Sequence, residues 1–325
     1  MKIFLSFLSI FLLGLAVIAV IIGYGVHSYS SNGPLAEDKM ILIERGTGVS
    51  GIAQKLADDN IIYNDMVFKI AARFGDSLKA GEYEFPAGAS TAKILQMLQE
   101  GDVFDRKITI VEGYTVQQII KRLNARDDLT GKITKTPEEG TLLPNTYHFV
   151  KNEGRQDVID RMASNMRVAL DLAWQRKANN LPIKTKLEAL TLASIVEKET
   201  AVAEERNRVA GVFINRLRKN MPLQTDPTVI YAITKGDIKE DGKGPLGRRI
   251  LSKDLQYDSP YNTYKYSGLP PGPIANPGID SIKATLNPEE HDYIFFVADG
   301  TGGHVFAKTL AEHNRNVAEW RKIRN

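Results

Sequence analysis

The sequence predicts an α+β protein in three parts: an N-terminal transmembrane helix, a small α+β domain and a larger, helix-rich α+β domain. Three observations carry that reading. The N-terminus opens on an apolar run that is uncharged from Ile3 to Val26, a strand–glycine–helix cassette then occurs three times, and the second half alternates helical patterns with Pro- and Gly-rich loops. The expected boundaries are 1–27 for the cytoplasmic tip and membrane helix, 28–38 for a polar linker, 39–104 for the small domain and 105–325 for the larger one.

From Ile3 to Val26 there is no charged residue. At about 1.5 Å per residue such a run crosses a hydrocarbon core of about 30 Å with some tilt. Lys2 precedes it and the next Lys or Arg is Lys39, so the positive-inside rule puts the N-terminus in the cytoplasm and the rest of the chain outside. A cleaved signal peptide would have a shorter apolar core and a small-x-small site. This run is longer and "GYGVHSYSS" offers no good site, so the helix is read as an uncleaved, single-pass anchor.

Composition excludes other classes. A net charge of +3, with no basic cluster interleaved with aromatics, argues against nucleic acid. The chain has no Cys, which removes disulfides, thiol nucleophiles and thiolate metal sites. The histidines show no H-E-x-x-H spacing and there is no G-x-S-x-G elbow, so neither a zinc site nor a serine hydrolase is expected, and no cofactor is called for.

After the linker, Gly46, Gly48 and Gly51 spell G-x-G-x-x-G between a strand and a helix, the context of a dinucleotide-binding turn. The spacing Gly46, Val49, Ile52, Leu56 recurs, however, as Gly88, Thr91, Ile94, Leu98 and as Gly113, Val116, Ile119, Leu123. The shared unit is strand, glycine turn, amphipathic helix, and two copies lack the extra glycines. A second match, Gly242, Gly244 and Gly247, lies in a polar loop. No nucleotide partner is predicted. Asn64 and Ser90 read as helix N-caps.

Chemistry candidates cluster between Leu192 and Gly278. "IVEKETAVAEERNRVAGVFINRL" reads as helical throughout. Leu192, Ile195 and Val196 form an apolar stripe into which Glu199 falls, whereas Glu197 lies round the side. A carboxylate on an apolar face is rare unless paired or functional; pairing with Arg206 or Arg208 is the bland alternative. "LQTD" is a loop feeding a helix that starts near Thr228. "SPYNTYKYSGLPPGPIANPG" is a long shaped loop whose aromatic faces and amides suit a sugar. Gln224 and Asp226 could equally cap the next helix, and Asn262 and Tyr264 could only stabilise their loop. His304 is most simply a loop residue and His313 a helix residue.

Ordinary glycosidases need two carboxylates facing each other across the bond, and neighbours two apart on a helix cannot supply them. A single Glu suffices when the sugar's own 6-hydroxyl attacks its anomeric carbon: the Glu protonates the leaving oxygen, then takes the hydroxyl proton.

"ASIVEKETAVAEERNRVAGVFINRL", "LQTDPTVIYAI", "YNTYKYSGLPPGPIANPG" and "YIFFVADGTGGHVFAKTLAEHN" resemble the MltG (YceG-like) family of endolytic murein transglycosylases. The resemblance implies a LysM-like domain over the cassette region and a YceG-like catalytic domain after it. The activity implied is a lyase that cuts the MurNAc–GlcNAc bond of nascent peptidoglycan, leaving 1,6-anhydro-MurNAc and terminating chain elongation. It makes Glu199 the catalytic acid/base, with Gln224, Thr225, Asp226, Tyr231, Asn262 and Tyr264 as substrate-binding residues and Glu197 and Asn215 in support. It places the anchor in the inner membrane with the bulk of the chain periplasmic, and makes glycan strands, the membrane, and penicillin-binding proteins or other wall synthases the expected partners. The alternatives are a non-catalytic wall-binding scaffold for those synthases and a hydrolytic muramidase in which Asp226 assists water. One departure stands out: "EGTLLPNTY" has Leu143 and Asn145 where the family pattern has an aromatic residue and Asp.

Overall fold

The structure, a computed structural model, describes residues 2–239 and 242–324. The cytoplasmic tip expected at Met1 lies outside them. The chain divides into two compact bodies, residues 1–106 and 107–325.

The first body begins with helix α1 (Lys2–Ser30). Its large apolar side chains between Phe11 and Val26 are exposed, but its last turn is built into the domain that follows. Ser28 is buried and Tyr29 packs against the core. The segment read as a linker is also tied down: Gly33 N–H donates to Gly88 O (3.1 Å), Gly88 N–H to Leu35 O (2.8 Å) and Ala87 N–H to Asp38 Oδ1 (2.8 Å). Strand β1 (Lys39–Ile43) precedes α2 (Val49–Asp58) and α3 (Asp65–Ala72); β2 (Gly81–Phe85) then pairs antiparallel with β1, from Lys39↔Phe85 to Ile43↔Gly81. Helix α4 (Thr91–Glu100) closes the body over a core of Ile41, Ile43, Leu56, Phe68, Tyr83, Phe85 and Leu98. Asn64 caps α3 by accepting from Met66 and Val67 N–H, and Ser90 caps α4.

The cassette has a backbone reason. Gly46, Gly88 and Gly113 take φ of +86°, +67° and +76°, the left-handed region that only Gly enters freely. Gly48 has φ −72° and is an ordinary N-cap. The glycines the repeat shares are therefore the ones the turn requires, and β1 pairs antiparallel with β2, unlike the parallel βαβ unit that a dinucleotide-binding turn opens.

The second body starts with the third cassette. β3 (Arg106–Thr109) leads to α5 (Val116–Asn124), whose N-terminus carries a capping box between Thr115 and Gln118. β4 (Leu129–Thr130), β5 (Thr146–Phe149) and β6 (Glu153–Gly154) follow, β3 pairing with β5 and β4 with β6. Ile108, Ile119, Leu123, Phe149 and Met162 centre this core, which takes in the start of α6 (Arg155–Gln175). A second core gathers the end of α6 with α7 (Lys186–Glu199), α8 (Arg206–Arg218) and, after α9 (Asp226–Thr234), α10 (Ile279–Leu286). The antiparallel hairpin β7 (Phe295–Ala298)/β8 (His304–Ala307) and α11 (Leu310–Arg324) end the chain.

Three local expectations are corrected. The segment expected to be helical throughout is broken after Glu199. Thr200 is extended, its Oγ1 accepts from Val202 N–H (3.0 Å), and a short 3-10 turn at Ala203–Glu205 precedes α8. Helix α9 starts at Asp226 rather than near Thr228, because Pro227 falls in the first turn, where a missing N–H costs nothing. His304 opens β8 instead of lying in a loop.

Candidate active site

Helix α7 is buried on every side from Ala189 to Val196, so the apolar stripe does not by itself select Glu199. The helix end does. Glu199 is the last residue of α7 and opens onto a cleft of about 610 Å³ walled by Gln224, Thr225 and Asp226, by Tyr264, by Phe295 and Phe296 of β7, and by His313 and Asn314 of α11. Burial pushes its carboxyl up to about 7; the Thr225 hydroxyl favours the ionised form, the charge of Asp226 opposes it, and His304 and Arg216 favour it. The C-terminal end of the helix dipole acts in the same direction as burial. Neither Arg206 nor Arg208 pairs with Glu199: Arg208 Nε donates to Glu289 Oε1 (2.9 Å), and Arg206 Nε is buried without a hydrogen-bond partner.

The loop facing Glu199 is held in an uncommon conformation. Gln224 has φ +53°, and its N–H donates to Thr263 O (3.1 Å), while Thr225 N–H donates to Thr263 Oγ1 (3.2 Å). Thr225 Oγ1 is buried and completes no hydrogen bond of normal geometry, yet lies near enough to the Glu199 carboxyl to favour its charge. Tyr264 OH donates to Asp226 Oδ1 (2.7 Å), so Asp226 engages the tyrosine across the cleft instead of capping α9, and burial with this bond holds the phenol well above its usual range.

The remaining sequence candidates lie elsewhere. Asn262 is fully buried and spent on its own loop: Nδ2 donates to Leu255 O and Tyr257 O, and Oδ1 accepts from Tyr264 N–H. Tyr231 stands against Tyr261, ring centroids 5.0 Å apart, and Glu139, whose carboxyl burial raises to about 7. Glu197 accepts from Gly278 N–H (2.8 Å), beside Glu112. Asn215 Nδ2 donates to His291 O (2.7 Å) and Tyr293 O (3.1 Å), fixing the segment that leads into β7. Thus Gln224, Thr225, Asp226 and Tyr264 gather with Glu199, whereas Tyr231, Asn262, Glu197 and Asn215 form no part of the cleft wall.

Sequence reasoning passed over Arg216. Its buried guanidinium donates to Ile294 O (2.7 Å), Pro222 O (3.1 Å), Leu223 O (2.9 Å) and Gln224 Oε1 (3.3 Å), joining the Gln224 loop to β7. It also lies 5.2 Å from the Phe295 ring centroid, and His313 stacks on that ring at 5.1 Å and 20°. Burial and the Arg216 charge hold His313 below the usual histidine range, so it is neutral at pH 7. Glu205 accepts from His304 N–H (2.9 Å) and Nδ1 (2.8 Å), anchoring the start of β8. The signal for these residues was the "FINRL" arginine and the "HVFAKTLAEHN" run.

The YceG-like family profile matches residues 41–319, most of the chain. The chain belongs to the YceG-like family. A Bacillus subtilis protein named endolytic murein transglycosylase is 34% identical over 88% of this chain and 85% of its own length. A Streptococcus pneumoniae protein of the same name is 32% identical, covering 85% of this chain but 57% of the relative. A solved yceG-like protein from Listeria monocytogenes, 34% identical, aligns over 86% of this chain and 99% of its own with a TM-score of 0.51. The cleft of this YceG-like chain lies wholly within the matched residues.

Proposed function

We propose that this YceG-like protein is a membrane-anchored endolytic murein transglycosylase with Glu199 as its one general acid/base. The observation that carries the proposal is a desolvated carboxyl, poised at about 7, opening onto a polar cleft. A group at that pKa is partly protonated at neutral pH and can both give and receive a proton. In the reaction proposed, the protonated Glu199 donates to the glycosidic oxygen as the bond from the MurNAc anomeric carbon breaks. The carboxylate so formed then takes the proton of the sugar's 6-hydroxyl as that oxygen closes on the same carbon. No water is consumed, and the attacking group is already tethered to its target. Arg216 steadies the loop opposite the acid, and Phe295, backed by Arg216 and His313, supplies an aromatic wall.

A second reading has its own observation: Asp226 lines the same cleft and could activate water, giving hydrolysis. Digestion of purified glycan strands separates the two, since transglycosylation leaves 1,6-anhydro ends and hydrolysis leaves reducing ends. The strand–helix–helix–strand order of the first body supports a LysM-like, glycan-holding role for it. Among the described residues, α1 has the one segment long and apolar enough to span a bilayer, Phe11–Ser30, which supports the anchor and, with Lys2, a periplasmic catalytic body. Chain termination and contact with wall synthases are consistent with such a placement.

A further inference from the structure

We infer that helix α3 is a second membrane contact: an apolar face that lies in the lipid headgroup boundary beside α1, so that the first body rests on the bilayer. This rests on the proposed membrane span of α1.

Helix α3 buries one face through Phe68 and Ala72, and on the opposite side presents Met66 (57% exposed) and Ile70 (50%), flanked by Tyr63 (65%) and Phe74 (87%). Met66 and Ile70 are one helical turn apart on α3, with Tyr63 just before its N-cap and Phe74 just after its C-cap. Large apolar side chains this exposed, and contiguous, mark a surface that meets something apolar. The stripe borders a groove of about 480 Å³ between α3 and α1, whose α1 wall is Ile21, Ile22, Gly25 and Tyr29 and whose α3 wall is Met66, Val67, Ile70 and Ala71.

Position identifies the occupant. The groove is level with residues 21–29 of α1, the outer end of the uncharged run. The last turn of α1 is fixed to the body: Ser28 is buried, Thr91 Oγ1 donates to Ser28 O (3.5 Å), and Tyr29 joins the core. If lipid surrounds the span, α3 is carried to the depth where acyl chains meet headgroups, and the exposed apolar surface of α1 runs on unbroken into the groove. The chemistry fits that depth. Tyr63 and Phe74 are aromatics beside the two ends of α3, Arg73 is exposed where it could reach phosphate, and the polar N-terminus of α3 is satisfied by the Asn64 cap and a Lys69–Asp65 ion pair.

Because the chain has no cysteine, single-cysteine variants of the full-length protein report one site each. Val17→Cys, Ile70→Cys, Phe74→Cys and Glu84→Cys, labelled with a polarity-sensitive fluorophore, would be reconstituted in phosphatidylcholine/phosphatidylglycerol vesicles with and without brominated lipid. The expected result is blue-shifted emission, quenched by brominated lipid, at positions 17, 70 and 74, with position 84 remaining aqueous and unquenched. Quenching at 17 alone overturns the α3 contact and leaves the anchor standing. A blue shift at 70 and 74 without lipid quenching also overturns it, because protein would then cover the stripe. Loss of quenching at 17 overturns the anchor, and the α3 contact with it.

Discussion

Replacing Glu199 by Gln should stabilise the fold above neutral pH while removing activity. Burial raises the Glu199 carboxyl from 4.5 to about 7, so the folded state holds a proton that the unfolded chain has already released. Between these values the native state binds more protons, and stability falls as pH rises. The contribution is intact below pH 4.5 and lost by the time pH has passed about 7. At about 1.4 kcal/mol per pKa unit the cost of charging the buried carboxyl reaches about 3 kcal/mol. Gln keeps the shape and cannot ionise. The variant should therefore match the parent near pH 4.5 and exceed it by up to about 3 kcal/mol at pH 8, a rise of about 6–12 °C in the midpoint for a body of this size. Calorimetry of both proteins across this pH range is the assay. Equal stability at pH 8, or a gain that does not change with pH, would show that the carboxyl is not desolvated and would remove the physical basis for its role as acid.

Arg216→Met should cost about 3–5 kcal/mol, since it leaves buried carbonyls at Pro222, Leu223 and Ile294 without their charged donor. In the folded fraction the loss of its charge should move the alkaline limb of the pH–rate profile upward; an unmoved limb in a fully folded variant would contradict the coupling. Gly88→Ala should cost about 1–2 kcal/mol from its φ of +67° alone, because the added Cβ would meet only Asn32 Nδ2 at 4.0 Å. Gly48→Ala, at an N-cap in ordinary extended backbone, should cost less, about 0.5–1 kcal/mol, and urea unfolding that ranks the two the other way would undo the account of the cassette. Asn262→Ala should cost about 2–3 kcal/mol by freeing buried carbonyls at Leu255 and Tyr257; a stable variant with a raised KM would instead make Asn262 a ligand to substrate.

Much of the fold was legible because the cassette writes its own rules. Glycines at a positive-φ turn, followed by apolar residues at helical spacing, give the same strand–turn–helix at Gly46, Gly88 and Gly113. The break after Glu199 was not legible, because Thr200–Val202 carry neither Gly nor Pro and the helical period runs on through α8. The break comes instead from an extended Thr200 and its hydroxyl bond to Val202, a tertiary choice that sequence pattern leaves open. The placing of Glu199 rested on a premise that is only half right: the stripe is real, but α7 is buried all round, and it is the helix end that gives the carboxyl its cleft. Asn262 and Tyr231 looked like ligands by residue type, yet hydrogen bonds within their own loop and packing against Glu139 absorb them. Arg216 was hidden for the opposite reason. Arginines crowd that helix, and only the three-dimensional arrangement shows which one is buried beneath Phe295 with carbonyls from two segments around it.

The central claim is that Glu199 alone passes the proton in both halves of an intramolecular cleavage. Mass spectrometry of fragments released from purified, uncross-linked glycan strands, by the parent and by Glu199→Gln at equal folded concentration, tests it most directly. The account predicts internal cuts bearing 1,6-anhydro-MurNAc ends from the parent, with the variant's rate at least about 10²-fold lower. Reducing ends from the parent, or undiminished anhydro product from the variant, would contradict it.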